Sequence, residues 1–169
     1  MSEQLVLDNS RKFYDWVLIK QYDDFFKNDT TYQHLINLAS SLFHFHEWLF
    51  NDFQSVLHTE LGANQRLSNP GQFWGAVEAT NQKFGFIRDI ANASKHVRLT
   101  RNPSTTMSHM ANTSIHVATW DSAQWDNAKW DAPSATSKDG ANDVLFDTCA
   151  DELFQYWTNL VDKLSPKVP

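Results

Sequence analysis

Residues 31–62, TYQHLINLASSLFHFHEWLFNDFQSVLHTELG, decide the fold. Leu35, Leu38, Leu42, Phe45, Leu49, Phe53 and Val56 recur at spacings of three and four, which lays one apolar stripe along an α-helix. Asp29 and Thr30 supply cap-type side chains before the stripe and Gly62 closes it, as helix starts and stops require. A helix of about thirty residues exceeds the usual length in globular proteins and suits the centre of a bundle.

Helices are expected on both sides of this one. RKFYDWVLIKQYDDFFK, residues 11–27, follows caps at Asp8 to Ser10 and carries a broad apolar arc of Phe13, Trp16, Val17, Ile19, Tyr22, Phe25 and Phe26. After the turn-forming GANQRLSNPGQ at 62–72, a third helical region is expected from Phe73 to about Val97, with Gly85 placed to break it in two. Val144, Leu145, Cys149, Leu153, Phe154, Trp157, Leu160, Val161 and Leu164 define a closing amphipathic helix. Between these, the helical period vanishes. Residues 104–140 read as a β-hairpin or irregular insert, with a strand-like Ser114–Trp120 and a turn at Lys138-Asp139-Gly140. The expected fold is mainly α: a four- or five-helix bundle in one domain, 1–169, with a small β insert before the C-terminal helix.

Composition bounds the function. With 169 residues, 41% apolar, 12 Phe, 7 Trp and 4 Tyr, the chain can fill one core. No apolar run is long enough to span a bilayer and the first residues lack a signal-peptide pattern. The single cysteine, Cys149, allows no internal disulfide. A cytoplasmic protein without membrane partners is therefore expected. The formal charge of −6 disfavours sequence-blind gripping of nucleic acid. No Walker, GxGxxG, kinase or GxSxG signature occurs, and no cofactor is expected.

Charge is nevertheless concentrated in one place. Between Lys83 and Arg101 stand Lys83, Arg88, Lys95, Arg98 and Arg101 against only Asp89. If residues 86–97 are helical, Arg88, Asn92 and Lys95 share one stripe with His96 at its edge, while Ile87, Ile90, Ala91, Ser94 and Val97 face the other way. Such a set suits phosphate. Arg88 can hold a phosphoryl oxygen through two parallel hydrogen bonds, Asn92, Lys95 and Arg98 can bind around it, and His96 can move a proton near neutral pH. The bland alternative is a solvated helix end whose basic residues complement the helix dipole.

The segment Arg88-Asp-Ile-Ala-Asn-Ala-Ser-Lys-His96, following the aromatic FHFHEWLFNDF, resembles the arginine-to-histidine motif of HEPN-type helical domains, with seven residues between Arg88 and His96, a longer separation than is usual there. The resemblance implies a metal-independent ribonuclease of a defence or toxin system, with Arg88 and His96 catalytic, Asp89 their polar neighbour, RNA as ligand and a homodimer forming the cleft. The Ala91-Asn92-x-x-Lys95-His96 segment also resembles uncharacterised bacterial helical proteins. A non-catalytic protein-interaction module, using the basic stripe and the Trp-bearing insert, is the second reading.

Two further patterns compete for attention. His44-Phe-His46-Glu47, with His34 and His58 on the same helix, invites a metal-dependent hydrolase, but His44 and His46 lie about 200° apart on a helix and cannot share an ion by themselves. His46 reads as a core or interface histidine, and no metal is expected. Trp120-Asp, Trp125-Asp and Trp130-Asp repeat at a spacing of five. They suit aromatic cover for the bundle better than an exposed stacking surface.

Overall fold

The computed structural model describes residues 5–27, 31–61, 67–96, 109–116, 134–139 and 142–165. The described chain is mainly helical, with a small three-stranded antiparallel sheet before the last helix. Helix α1, Ser10–Phe13, passes through a π-helical turn, Tyr14–Leu18, into α2, Ile19–Lys27. Asn9 caps α1, its side chain accepting the Lys12 N–H at 2.9 Å. The π turn alters the phase of the apolar arc. Trp16, expected inside, is 44% exposed, while Leu18 is fully buried. An inserted residue rotates everything after it around the axis.

The long central helix α3 runs Tyr32–Glu60 and is capped by Thr31, one residue past the expected caps at Asp29 and Thr30, which lie outside the described residues. Leu35, Leu38, Leu42, Phe45 and Leu49 are all fully buried, as their spacing predicts. The pattern then breaks. Phe53 has non-helical angles, φ −126° and ψ 18°, and beyond it Leu57 is fully buried, whereas Phe53 and Val56 are only partly covered.

The third helical region divides into α4, Pro70–Thr80, and α5, Phe84–Ala93. It begins three residues before Phe73, because Asn69 caps the first turn and Pro70 sits at a position that needs no N–H. The break falls at Asn81–Lys83, just before Gly85, and the helix ends at Ala93 instead of Val97. Glu152 fixes that break: it accepts Asn81 Nδ2 at 2.7 Å and Lys83 Nζ at 3.0 Å.

Strands β1, Thr113–His116, β2, Ser134–Asp139, and β3, Asn142–Leu145, form an antiparallel meander in that order. Ile115 pairs with Ala135 and Ser137 with Val144. Val144 and Leu145, expected in the closing helix, instead complete the sheet, and α6 runs Phe146–Leu164. Leu145 is extended, φ −72° and ψ 116°, so the helix cannot start before Phe146. The buried Asp147 carboxylate accepts the Ala135 N–H at 3.2 Å and ties β2 to the start of α6. The Trp-Asp repeats lie outside the described residues.

Trp157 of α6 is the centre of the core. It is fully buried, its ring 5.7 Å from Phe45 and 6.1 Å from Phe73, and its indole N–H donates to the Leu42 carbonyl at 2.9 Å. Two tyrosines join the N-terminal helical rod to α6: Tyr14 bonds Thr158 at 2.7 Å and Tyr22 donates to Asp151 at 2.5 Å. No helix among the described residues is long and apolar enough to cross a membrane.

Candidate functional site

Helix α5 has the sidedness its sequence predicts as far as Ala93. Ile87, Ile90 and Ala91 are fully buried, and the small Ala91 and Ala93 permit close packing on α3. Arg88 lies on the opposite side, four-fifths buried. Its guanidinium is held by two carboxylates: Nη1 donates to Glu78 Oε2 at 3.0 Å, while Nη2 and Nε donate to Asp89 Oδ1 at 3.2 and 3.3 Å. Glu78 is itself fixed by the Trp74 indole N–H, at 2.9 Å to the same oxygen. Asp89, expected only as a polar neighbour, is buried at 1% exposure. A buried carboxylate requires a cation or several donors, and Arg88 supplies the cation. The arginine thereby clamps α4 to α5.

Lys83 is engaged in the same way. Its hydrogen bond to Glu152 raises the ammonium above its usual range. The positive run read from the sequence is therefore balanced, at Lys83 and Arg88, by carboxylates brought from α4, α5 and α6.

Past Ala93 the chain forms a hydrogen-bonded turn, Lys95 N–H to Asn92 O at 3.1 Å and His96 N–H to Ala93 O at 3.3 Å. Asn92 is half-buried, and Lys95 and His96 are exposed. The turn carries Lys95 to α3, where its Nζ donates to His44 Nε2 at 2.6 Å, and His44 Nδ1 lies 3.4 Å from Glu47 Oε1. An ammonium has no lone pair, so His44 accepts at Nε2 and carries its proton on Nδ1, towards Glu47. Among the described residues, the turn thus joins the exposed Lys95 and His96 to the half-buried His44 of α3. Arg98 lies outside the described residues.

The histidines of α3 separate as helical geometry requires. His46 is 3% exposed, packed on Phe43 and Trp74, and its Nδ1–H donates to the Phe43 carbonyl. Burial lowers its pKa below the ordinary histidine value. Among the described residues, no three His, Cys, Asp or Glu side chains are grouped to hold a metal ion. Cys149 is buried, and that burial pushes its thiol pKa up to about 11.

No family model, curated protein or solved structure matches the chain.

The spacing of charges missed two partners. Glu78 precedes Arg88 by ten residues and meets it only because the chain reverses at Asn81–Lys83. The one local signal was Trp74 and Glu78, a turn apart on α4. His44 was legible as a titratable surface residue, but its contact with Lys95 spans 51 positions and depends on how α5 ends.

Proposed function

We propose that the chain is a non-catalytic helical interaction module whose recognition surface is formed by the exposed Lys95 and His96 with the half-buried His44 beside them, and whose partner is an acidic protein. The engagement of Arg88 by Glu78 and Asp89 carries this reading. A phosphoryl-transfer site of the kind implied by the HEPN resemblance needs an arginine directed at the phosphate. Turning Arg88 outward would abandon a buried carboxylate. Lys95 needs no such rearrangement: it is exposed, and its hydrogen bond is to the His44 imidazole and not to a carboxylate.

Two measurements test the reading. An oligo-glutamate peptide titrated into labelled protein should shift the resonances of Lys95, His96 and His44, weakly and in a salt-dependent way. The Lys95→Ala variant should not respond. Labelled single-stranded RNA and tRNA incubated with the protein in excess EDTA should remain intact. Cleavage that disappears in His96→Ala and in Arg88→Lys would overturn the proposal in favour of the metal-independent ribonuclease.

A further inference from the structure

Lys95 and His44 meet in a contact that one proton can reverse. Lys95 Nζ donates to His44 Nε2 at 2.6 Å, and His44 Nδ1 lies 3.4 Å from Glu47 Oε1. The first bond needs a lone pair on Nε2, which an imidazole with its proton on Nδ1 has only while it is neutral. A lysine ordinarily stays charged well above neutral pH, whereas a histidine ordinarily gains its charge just below it. Protonation of His44 therefore turns an acceptor facing an ammonium into a second cation facing it, at a separation where like charges repel.

The surroundings decide which neighbour the imidazolium keeps. Glu47, one turn along α3, is the carboxylate within ion-pair reach of His44 among the described residues, and it gains attraction when His44 is charged. His46, two residues on, lies around the far side of the helix, buried and kept neutral chiefly by that burial. The turn after α5 brings Lys95 and, next to it, His96. Towards α4 the packing is aromatic: the His44 ring stands 5.0 Å from Phe43, which meets Trp74 at 4.9 Å. Lys95 is the member that can leave. It is exposed, it lies past the end of α5 at Ala93, and among the described residues its ammonium is bonded to the imidazole and to no carboxylate.

We propose that Lys95, His44 and Glu47 form a proton-operated latch: with His44 neutral the lysine is held against α3, and protonation of His44 releases it into solvent while the imidazolium turns to Glu47. The inference rests on the reading of Lys95 and His96 as a recognition surface and supplies its regulation, an acidic partner being bound more tightly as pH falls through the histidine range. The sign follows from linkage. A partner that takes the released ammonium favours the open form, the open form carries one more proton, and proton uptake and partner binding therefore strengthen each other.

The latch is tested first in the free protein, with no partner present. At about pH 8 the ε-methylene protons of Lys95 should show a nuclear Overhauser contact to the His44 ring, and at about pH 5.5 they should not, the two conditions lying on either side of the ordinary histidine value of about 6.5. The loss should follow the His44 ring resonances through their titration and should persist in His96→Gln. A contact that survives the titration of His44, one that is absent at both pH values, or an opening that tracks His96 would overturn the proposal. The partner is tested next, with an oligo-aspartate peptide whose carboxylates stay ionised between about pH 6 and about pH 8. In the His96→Gln chain its affinity should rise about three-fold or more as pH is lowered across that range. Adding His44→Gln should abolish the rise, since the amide oxygen still accepts from Lys95 but takes up no proton. A rise that survives His44→Gln would overturn the regulation. A latch that opens in the free protein, with no peptide bound at either pH, would confirm the switch and refute the recognition surface.

Discussion

Replacing Arg88 with alanine should cost stability before it costs anything else. Asp89 is 1% exposed and Glu78 is largely covered, so the substitution leaves buried carboxylate charge without its cation. Removing one partner of a buried pair costs about 3–5 kcal/mol. The lower end, about 3 kcal/mol, applies here, because Arg88 retains 21% exposure. In urea, a domain of this size unfolds with a slope of about 2 kcal/mol per molar, so the midpoint should fall by about 1.5 M with the slope unchanged. Adding Asp89→Asn should return part of the loss, since the penalty is an unpaired charge and not missing volume. Glu78→Gln combined with Arg88→Ala should be less harmful than the sum of the two, with a coupling of about 1 kcal/mol or more. An unfolding free energy unchanged to within about 0.5 kcal/mol, the usual range for ordinary surface positions, would refute the clamp. Arg88 would then be a surface cation open to phosphate, and the ribonuclease reading would regain its arginine.

Other consequences can be checked in the same preparations. Trp157→Phe should destabilise by about 2 kcal/mol or more in a urea titration, since it loses the indole bond to the Leu42 carbonyl and leaves ring volume empty at the core centre. His46 is held neutral by burial, below its unfolded value of 6.5. As pH falls through that value the unfolded chain takes up a proton that the folded chain refuses, so stability should decline with acid below it; a His46→Gln chain should show a shallower decline in pH-dependent melting. Cys149 should resist a thiol reagent at mildly alkaline pH in the folded protein and react with one equivalent once urea is added, because its thiol is buried and poorly ionised.

The sequence was most legible where one face meets one core. The run Leu35 to Leu49 could be placed because a regular helix gives it no other face to bury, whereas the start of α4 is set by the Asn69 cap and Pro70 and not by the apolar period. The misplacements share a cause. Trp16 and Leu18 exchange roles at the π turn, and Phe53 and Leu57 exchange roles at the kink, since a fixed step of 100° carries any local change of pitch forward as an error. Val144 and Leu145 fit a helical apolar stripe and a strand equally well, and pairing with β2 decides between them. The candidate site was legible in composition and not in contact. Arg88, Lys95 and His96 stand out as charges, but which carboxylate or imidazole each one meets depends on chain reversals that no short window contains.

The π turn has a consequence for how the first helix can change. Tyr14 and Tyr22 are eight residues apart, while the residues they meet on α6, Thr158 and Asp151, are seven apart. On regular helices seven residues come back almost to the same bearing, and eight overshoot by about 80°. The widened turn Tyr14–Leu18 absorbs the extra residue, so that two rods with different counts keep step like the scales of a vernier. The odd residue is thus part of the alignment. Deleting one position between Tyr14 and Leu18 would give a more regular helix, with seven residues facing seven, and should be tolerated better than an insertion there, which would leave two residues to absorb and turn Tyr22 away from Asp151.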